Sequence, residues 1–157
     1  MALDITPVDD PDTWNGLVEQ SPQATPFHRA ESLGVMASHA NATLHPYVGY
    51  KGQEPVGIFP LFELSKGPVT AAFSPPPKQK ISYLGPALVS LNGKQRRREK
   101  TNSRFITACL DELEATVGPS FVHLRTATGY TDSRPFVWAG FEPTTRYTYE
   151  VDLDRSE

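Results

Sequence analysis

Apolar and polar positions change period several times along this chain, and each change marks an element. Leu3 to Val8 alternates as a short first strand. Asp10-Pro11 then reads as a capped helix start with the proline at the first helical position, and Trp14, Leu17 and Val18 share one face of the helix. Ser21-Pro22 stops it, and Thr25-Pro26 opens a second helix in which Phe27, Ala30, Leu33, Ala37 and Ala40 recur at helical spacing. From Thr43 to Tyr50 and from Glu54 to Leu64 the pattern becomes that of strands, with Lys51-Gly52-Gln53 as the hairpin between them. In the second of these, Val56, Ile58, Phe62 and Leu64 point one way. Pro60 cannot donate to a ladder, which implies a bulge or an edge position.

Val69 to Phe73 is a further short strand, Ser74-Pro75-Pro76-Pro77 an extended connection, and Ile81 to Val89 is apolar again around Gly85-Pro86. The longest helix begins between Lys94 and Arg98. Ile106, Leu110, Leu113 and Val117 form its apolar stripe, and Gly118-Pro119 ends it. Phe121 to Thr126 reads as a strand and Ser133 to Ala139 as a short helix or turn. Arg146 to Leu153 reads as a final strand, with Tyr147, Tyr149, Val151 and Leu153 alternating with Thr148, Glu150 and Asp152. The predicted order is β-α-α-β-β-β-α-β-α-β.

Composition narrows the picture. The 157 residues suit one domain, residues 1–157, with an ordinary core, and 15 prolines and 11 glycines imply many sharply ended elements. A net charge of −3 offers no overall basic field for nucleic acid. No stretch approaches the roughly 20 apolar residues of a membrane span, and Met1-Ala2-Leu3-Asp4 runs into polar sequence, so a cytoplasmic location is the expectation. The single cysteine, Cys109, excludes an internal disulfide framework and falls on an apolar helix face, where a thiol is buried and inert.

The element order is similar to that of the GNAT acyltransferase fold, an α/β (α+β) architecture with a mixed, mainly antiparallel sheet flanked by helices. Pro55-Val56-Gly57-Ile58-Phe59-Pro60-Leu61-Phe62, Ser74-Pro75-Pro76-Pro77, Tyr83-Leu84-Gly85-Pro86, Asp132 to Gly140 and Arg146-Tyr147-Thr148-Tyr149 together resemble the N-terminal half of FemAB-type proteins. In that family two GNAT-like domains sit in tandem, and members move an amino acid from aminoacyl-tRNA onto an amine. The resemblance implies that this chain is one half of an acyltransferase, contributing acceptor binding and a cleft wall and inactive alone. Its partner would be a second GNAT-like domain, or a second copy joined through the C-terminal strand. It also implies a small-molecule or peptide-like amine as acceptor. This half would carry no cofactor, with aminoacyl-tRNA or acyl-CoA as donor to the full protein.

Candidate site residues fall in three groups. The first is the basic run Lys94, Arg96, Arg97, Arg98, Lys100 and Arg104, which either holds phosphates or is a solvated first stretch of helix; cations there oppose the helix dipole unless an anion is bound. A GNAT pyrophosphate turn needs convergent backbone donors, and Leu91-Asn92-Gly93-Lys94 has one glycine, which disfavours direct acetyl-CoA use. In the second group, Asp132, Arg134 and Trp138 read as helix cap, anion clamp and aromatic wall, or as a structural cap, an ion pair and a core filler. The third is Arg146, Tyr147 and Tyr149 on the last strand, where a tyrosine either donates to a transition-state oxygen or is half-buried packing. Of the four histidines, none shows metal spacing, and only His28 is placed to act as a base. No catalytic residue is identified. A self-contained acetyl-CoA N-acetyltransferase and a non-catalytic binding module remain as alternatives.

Overall fold

The computed structural model describes residues 3–154. The elements are β1 (Asp4–Pro7), α1 (Pro11–Gln20), a 3-10 turn (Pro26–His28), α2 (Ala30–Ala40), β2 (Thr43–Lys51), β3 (Glu54–Lys66), β4 (Val69–Ser74), β5 (Ala87–Leu88), α3 (Gln95–Thr116), β6 (Phe121–Leu124) and α4 (Arg134–Trp138). The sheet runs β1-β2-β3-β4-β6, with β5 also on β3; β4 and β6 are parallel and every other pair is antiparallel.

Helices cover both faces. On one, Trp14 and Leu17 of α1 and Leu33 and Met36 of α2 pack with Val48, Ile58 and Phe62. On the other, Phe105, Ile106, Cys109 and Leu113 of α3 pack with Tyr47, Phe59, Leu61 and Ala72. Strands β2 and β3 are therefore buried on both sides, which is why their sequences read as apolar runs rather than clean alternation.

Local chemistry sets the element ends. Asp10 accepts the Thr13 N–H at 2.8 Å and caps α1. The second helix does not start at Pro26 as expected: Pro26–His28 is a 3-10 turn, Arg29 is extended, and α2 begins at Ala30. Asn41 closes it in the left-handed region, as a residue at that position can.

Three further expectations are corrected. Pro60 is neither bulged nor at an edge; it sits in the central strand opposite Pro46. Strand β3 pairs with β5 as far as Ile58 and with β4 from Phe62, so the missing donor falls in the gap between two partners. There the Pro60 carbonyl accepts the Ser74 hydroxyl at 2.6 Å. The bulge lies instead at Val56, where the register passes from Gly49↔Gly57 to Tyr50↔Pro55, and it turns Val56 to the α3 side, away from Ile58 and Phe62.

The buried stripe of α3 is Asn102, Phe105, Ile106, Cys109 and Leu113, with Leu110 and Val117 only half-buried at its margin. Finally, Arg146–Leu153 is not a strand. It runs without a sheet partner, with Tyr147 93% and Tyr149 100% exposed. An alternating pattern needs a neighbouring strand to become one.

Candidate functional site

The α3–α4 junction gathers most of the charged residues singled out in the sequence. Arg96, Lys100 and Arg104 stand four residues apart on the exposed side of α3, so they share one stripe about 6 Å apart along the axis. With Glu99, Ser103, Asp132, Arg134 and Trp138 they line an open cleft of about 390 Å³.

A buried network holds the far wall. Tyr130 donates its hydroxyl proton to Asn102 Oδ1 at 2.7 Å, and Asn102 Nδ2 donates to the Asp132 carbonyl at 3.3 Å, which ties the loop before α4 to the middle of α3. Burial pushes the Tyr130 phenol well above its ordinary value, so it remains a donor. Phe136 anchors α4 in the core against Phe59, Tyr130 and Phe141.

On this frame Arg134 donates from Nε and Nη2 to the two Asp132 oxygens at 2.7 and 2.9 Å, and Nη2 also pairs with Glu99 Oε1 at 3.0 Å. The Arg134 hydrogen bond holds the Asp132 carboxyl below the usual range. Glu99 is lowered by hydrogen bonds from Gln95 and then Arg134. Arg134 is thus occupied by its own chain's carboxylates rather than open as an anion clamp. Asp132 precedes the capping position, which is Ser133, and accepts the Arg134 N–H at 3.3 Å. Trp138, however, does not fill the core: it is 69% exposed at the rim of the cleft.

The two carboxylates are consumed by Arg134, and among the described residues Arg96, Lys100 and Arg104 make no ion pair. The cleft therefore carries an excess of positive charge inside an acidic protein. Of the other basic residues, Lys94 caps α3 without a side-chain bond, Arg98 donates to the Leu91 carbonyl at 3.2 Å, and neither they nor Arg97 line the cleft. Arg146, Tyr147 and Tyr149 lie on the unpaired C-terminal segment and are not brought to it. Glu99 and Ser103 were missed in the sequence, although a lone acid inside a basic run was a legible sign of an internal ion pair.

His28 is fully buried. Its Nδ1 accepts the Thr25 N–H at 3.0 Å, so Nε2 keeps the proton and donates to the Gly85 carbonyl at 3.0 Å. Burial lowers its pKa, and both nitrogens are committed, so the histidine joins the 3-10 turn to the Gly85 loop and has no lone pair for a substrate. Cys109 is buried and its thiol is pushed well up by desolvation, as its place in the stripe implied. Among the described residues no three His, Cys, Asp or Glu side chains are grouped to hold a metal ion, and no helix is long and apolar enough to cross a membrane.

No model of a known protein family matches the chain, and no curated protein matches its sequence. Among solved structures it is similar to a protein from Thermus thermophilus at 12% identity and TM-score 0.50, over 98% of this chain and 99% of the other. It is also similar to an acetyltransferase from Trypanosoma brucei (14% identity, TM-score 0.48, 96% and 99% covered). A third neighbour is an aminoglycoside acetyltransferase from an uncultured soil metagenomic sample (14%, 0.47, 97% and 100%). At these identities the likeness is one of fold alone: a mixed α/β architecture with an open, mostly antiparallel sheet and flanking helices, as expected from the sequence.

Proposed function

We propose that this chain is a GNAT-like acyl-transfer domain of the FemAB type, one half of an enzyme that moves an acyl or aminoacyl group to a small-molecule or peptide-like amine. The observation that carries the reading is the α3–α4 cleft, where Arg96, Lys100 and Arg104 have no internal counter-charge and an exposed indole stands at the rim. Such a surface holds the anionic part of a donor or acceptor, and both aminoacyl-tRNA and acyl-CoA are polyanions. Direct transfer between bound partners needs alignment more than a dedicated nucleophile. That agrees with a chain whose cysteine is buried and whose one buried histidine is locked in place. The remaining groups would come from a second GNAT-like domain, or from a second copy reached through the Tyr147–Leu153 segment.

The test is an assay of product mass with a panel of acyl-CoAs, aminoacyl-tRNAs and amines, with thiol release followed for the acyl-CoAs. The half-enzyme reading expects no turnover by the chain alone and turnover by the full-length gene product. Turnover by the chain alone would favour the second reading, a self-contained acetyltransferase. Inactivity of both would leave a binding module.

A further inference from the structure

Two hollows meet along α3. Beyond the cationic cleft, and sharing Ser103 and Trp138 with it, lies a groove of about 470 Å³ between α3, β6 and α4. Leu110, Val122, Pro135 and Phe141 line it, and it is here that Leu110, left out of the buried stripe, finds its place. The two hollows form one channel of opposite character at its ends. Arg96, Lys100 and Arg104 stand at one end, apolar walls follow, and Asp111 and Glu114 edge the far rim. From Lys100 to Leu110 the helix rises about 15 Å, the length of a medium fatty chain.

We propose that this channel binds an anionic amphiphile: a phosphate head on Arg96, Lys100 and Arg104, and a linear apolar tail running past Trp138 into the Leu110–Val122 groove. Charge sets the direction. The acidic far rim repels an anionic head, while the uncompensated cations attract it, so only one orientation satisfies both ends. The apolar segment explains why a large indole is left at the shared rim: it covers the tail at the point where head and tail join. The inference rests on the acyl-transfer reading for the use made of such a ligand, since a long-chain acyl donor or acceptor has this chemistry. Binding itself is measured without turnover, so either can fail while the other stands.

The experiment titrates the whole chain with butyl, octyl and dodecyl phosphate below their micellar concentrations, by calorimetry and by tryptophan emission. The protein has two tryptophans, and Trp14 is buried, so a spectral change reports Trp138. Affinity is expected to rise with tail length, by up to roughly fourfold per methylene, with a blue shift of emission. Lys100→Gln and Arg104→Gln should each weaken dodecyl phosphate about tenfold and leave the melting temperature unchanged, while Lys66→Glu, in the distant β3–β4 hairpin, should do nothing. Inorganic phosphate binding as tightly as dodecyl phosphate would overturn the proposal. So would dodecyl maltoside binding equally well, or no binding at all. Sedimentation with phosphatidylglycerol vesicles without binding of the free alkyl phosphates would also refute it, because the patch would then be a membrane-docking face.

Discussion

The ring of Phe105 lies so close to Gly57 that a Cβ there would stand 2.6 Å from it, and a Cβ on Gly49, the cross-strand partner of Gly57, would stand 2.5 Å from the same ring. Two glycines side by side on β2 and β3 thus make the flat floor on which α3 rests, and the head of the α3–α4 cleft is carried on that helix. Gly57→Ala is expected to cost about 1–3 kcal/mol through overpacking, read from urea unfolding. Pairing it with Phe105→Leu should recover part of the loss, which distinguishes this contact from a backbone effect.

Deleting part of the α3 stripe has a different cost. Leu113 is buried against the sheet, so Leu113→Ala should lose about 2–5 kcal/mol through a cavity, whereas Leu110→Ala, at the half-buried margin, should lose clearly less. Equal losses in the urea midpoint would mean that the helix is rotated from the orientation described.

His28 makes stability depend on pH. Its folded pKa lies below the ordinary value of 6.5 because burial disfavours the imidazolium, so the folded state binds fewer protons than the unfolded state. The contribution is therefore present above the unfolded pKa and is lost as pH falls below it towards the folded value. The expected result is a declining urea midpoint between pH of about 7.5 and about 5, with a shallower decline in His28→Phe, which is less stable throughout because the Gly85 carbonyl loses its donor.

The Asp132–Arg134 pair should be visible by titration rather than by stability. Arg134→Gln removes the hydrogen bonds that hold the Asp132 carboxyl low, so its pKa, followed by carbon NMR, should rise towards the ordinary aspartate value. The urea midpoint should move little, because the pair is exposed to solvent.

Tyr147 and Tyr149 bring the C-terminal segment to a testable state. Both are exposed and touch no strand, so Tyr147→Ser with Tyr149→Ser should leave the melting temperature unchanged. If the segment joins two copies, sedimentation at high concentration should show a dimer for the natural chain and a monomer for the double variant.

Period and punctuation in the sequence determined α1, the hairpins of β2, β3 and β4, the span of α3 between Lys94 and Gly118, β6 and α4, and the burial of Cys109. Each of these depends on contacts near in sequence or on a face long enough to show its period. Tertiary structure alone decided the rest. Pro60 is tolerated in a central strand because β3 changes partner there, a fact set by Ile58 pairing with Ala87 far along the chain while Phe62 keeps its hairpin partner Phe73. The stripe of α3 turned towards Phe105 because two glycines on distant strands opened a flat floor for its ring. Arg146–Leu153 carries a strand's alternation yet stays single, since alternation describes a face and a strand also needs a neighbour. The candidate site shows the same division. Its charges were legible as a basic run and the Asp132–Arg134 pair is local, but which cations remained free depended on Glu99 of α3 closing on Arg134 of α4, and no local pattern encodes that distance.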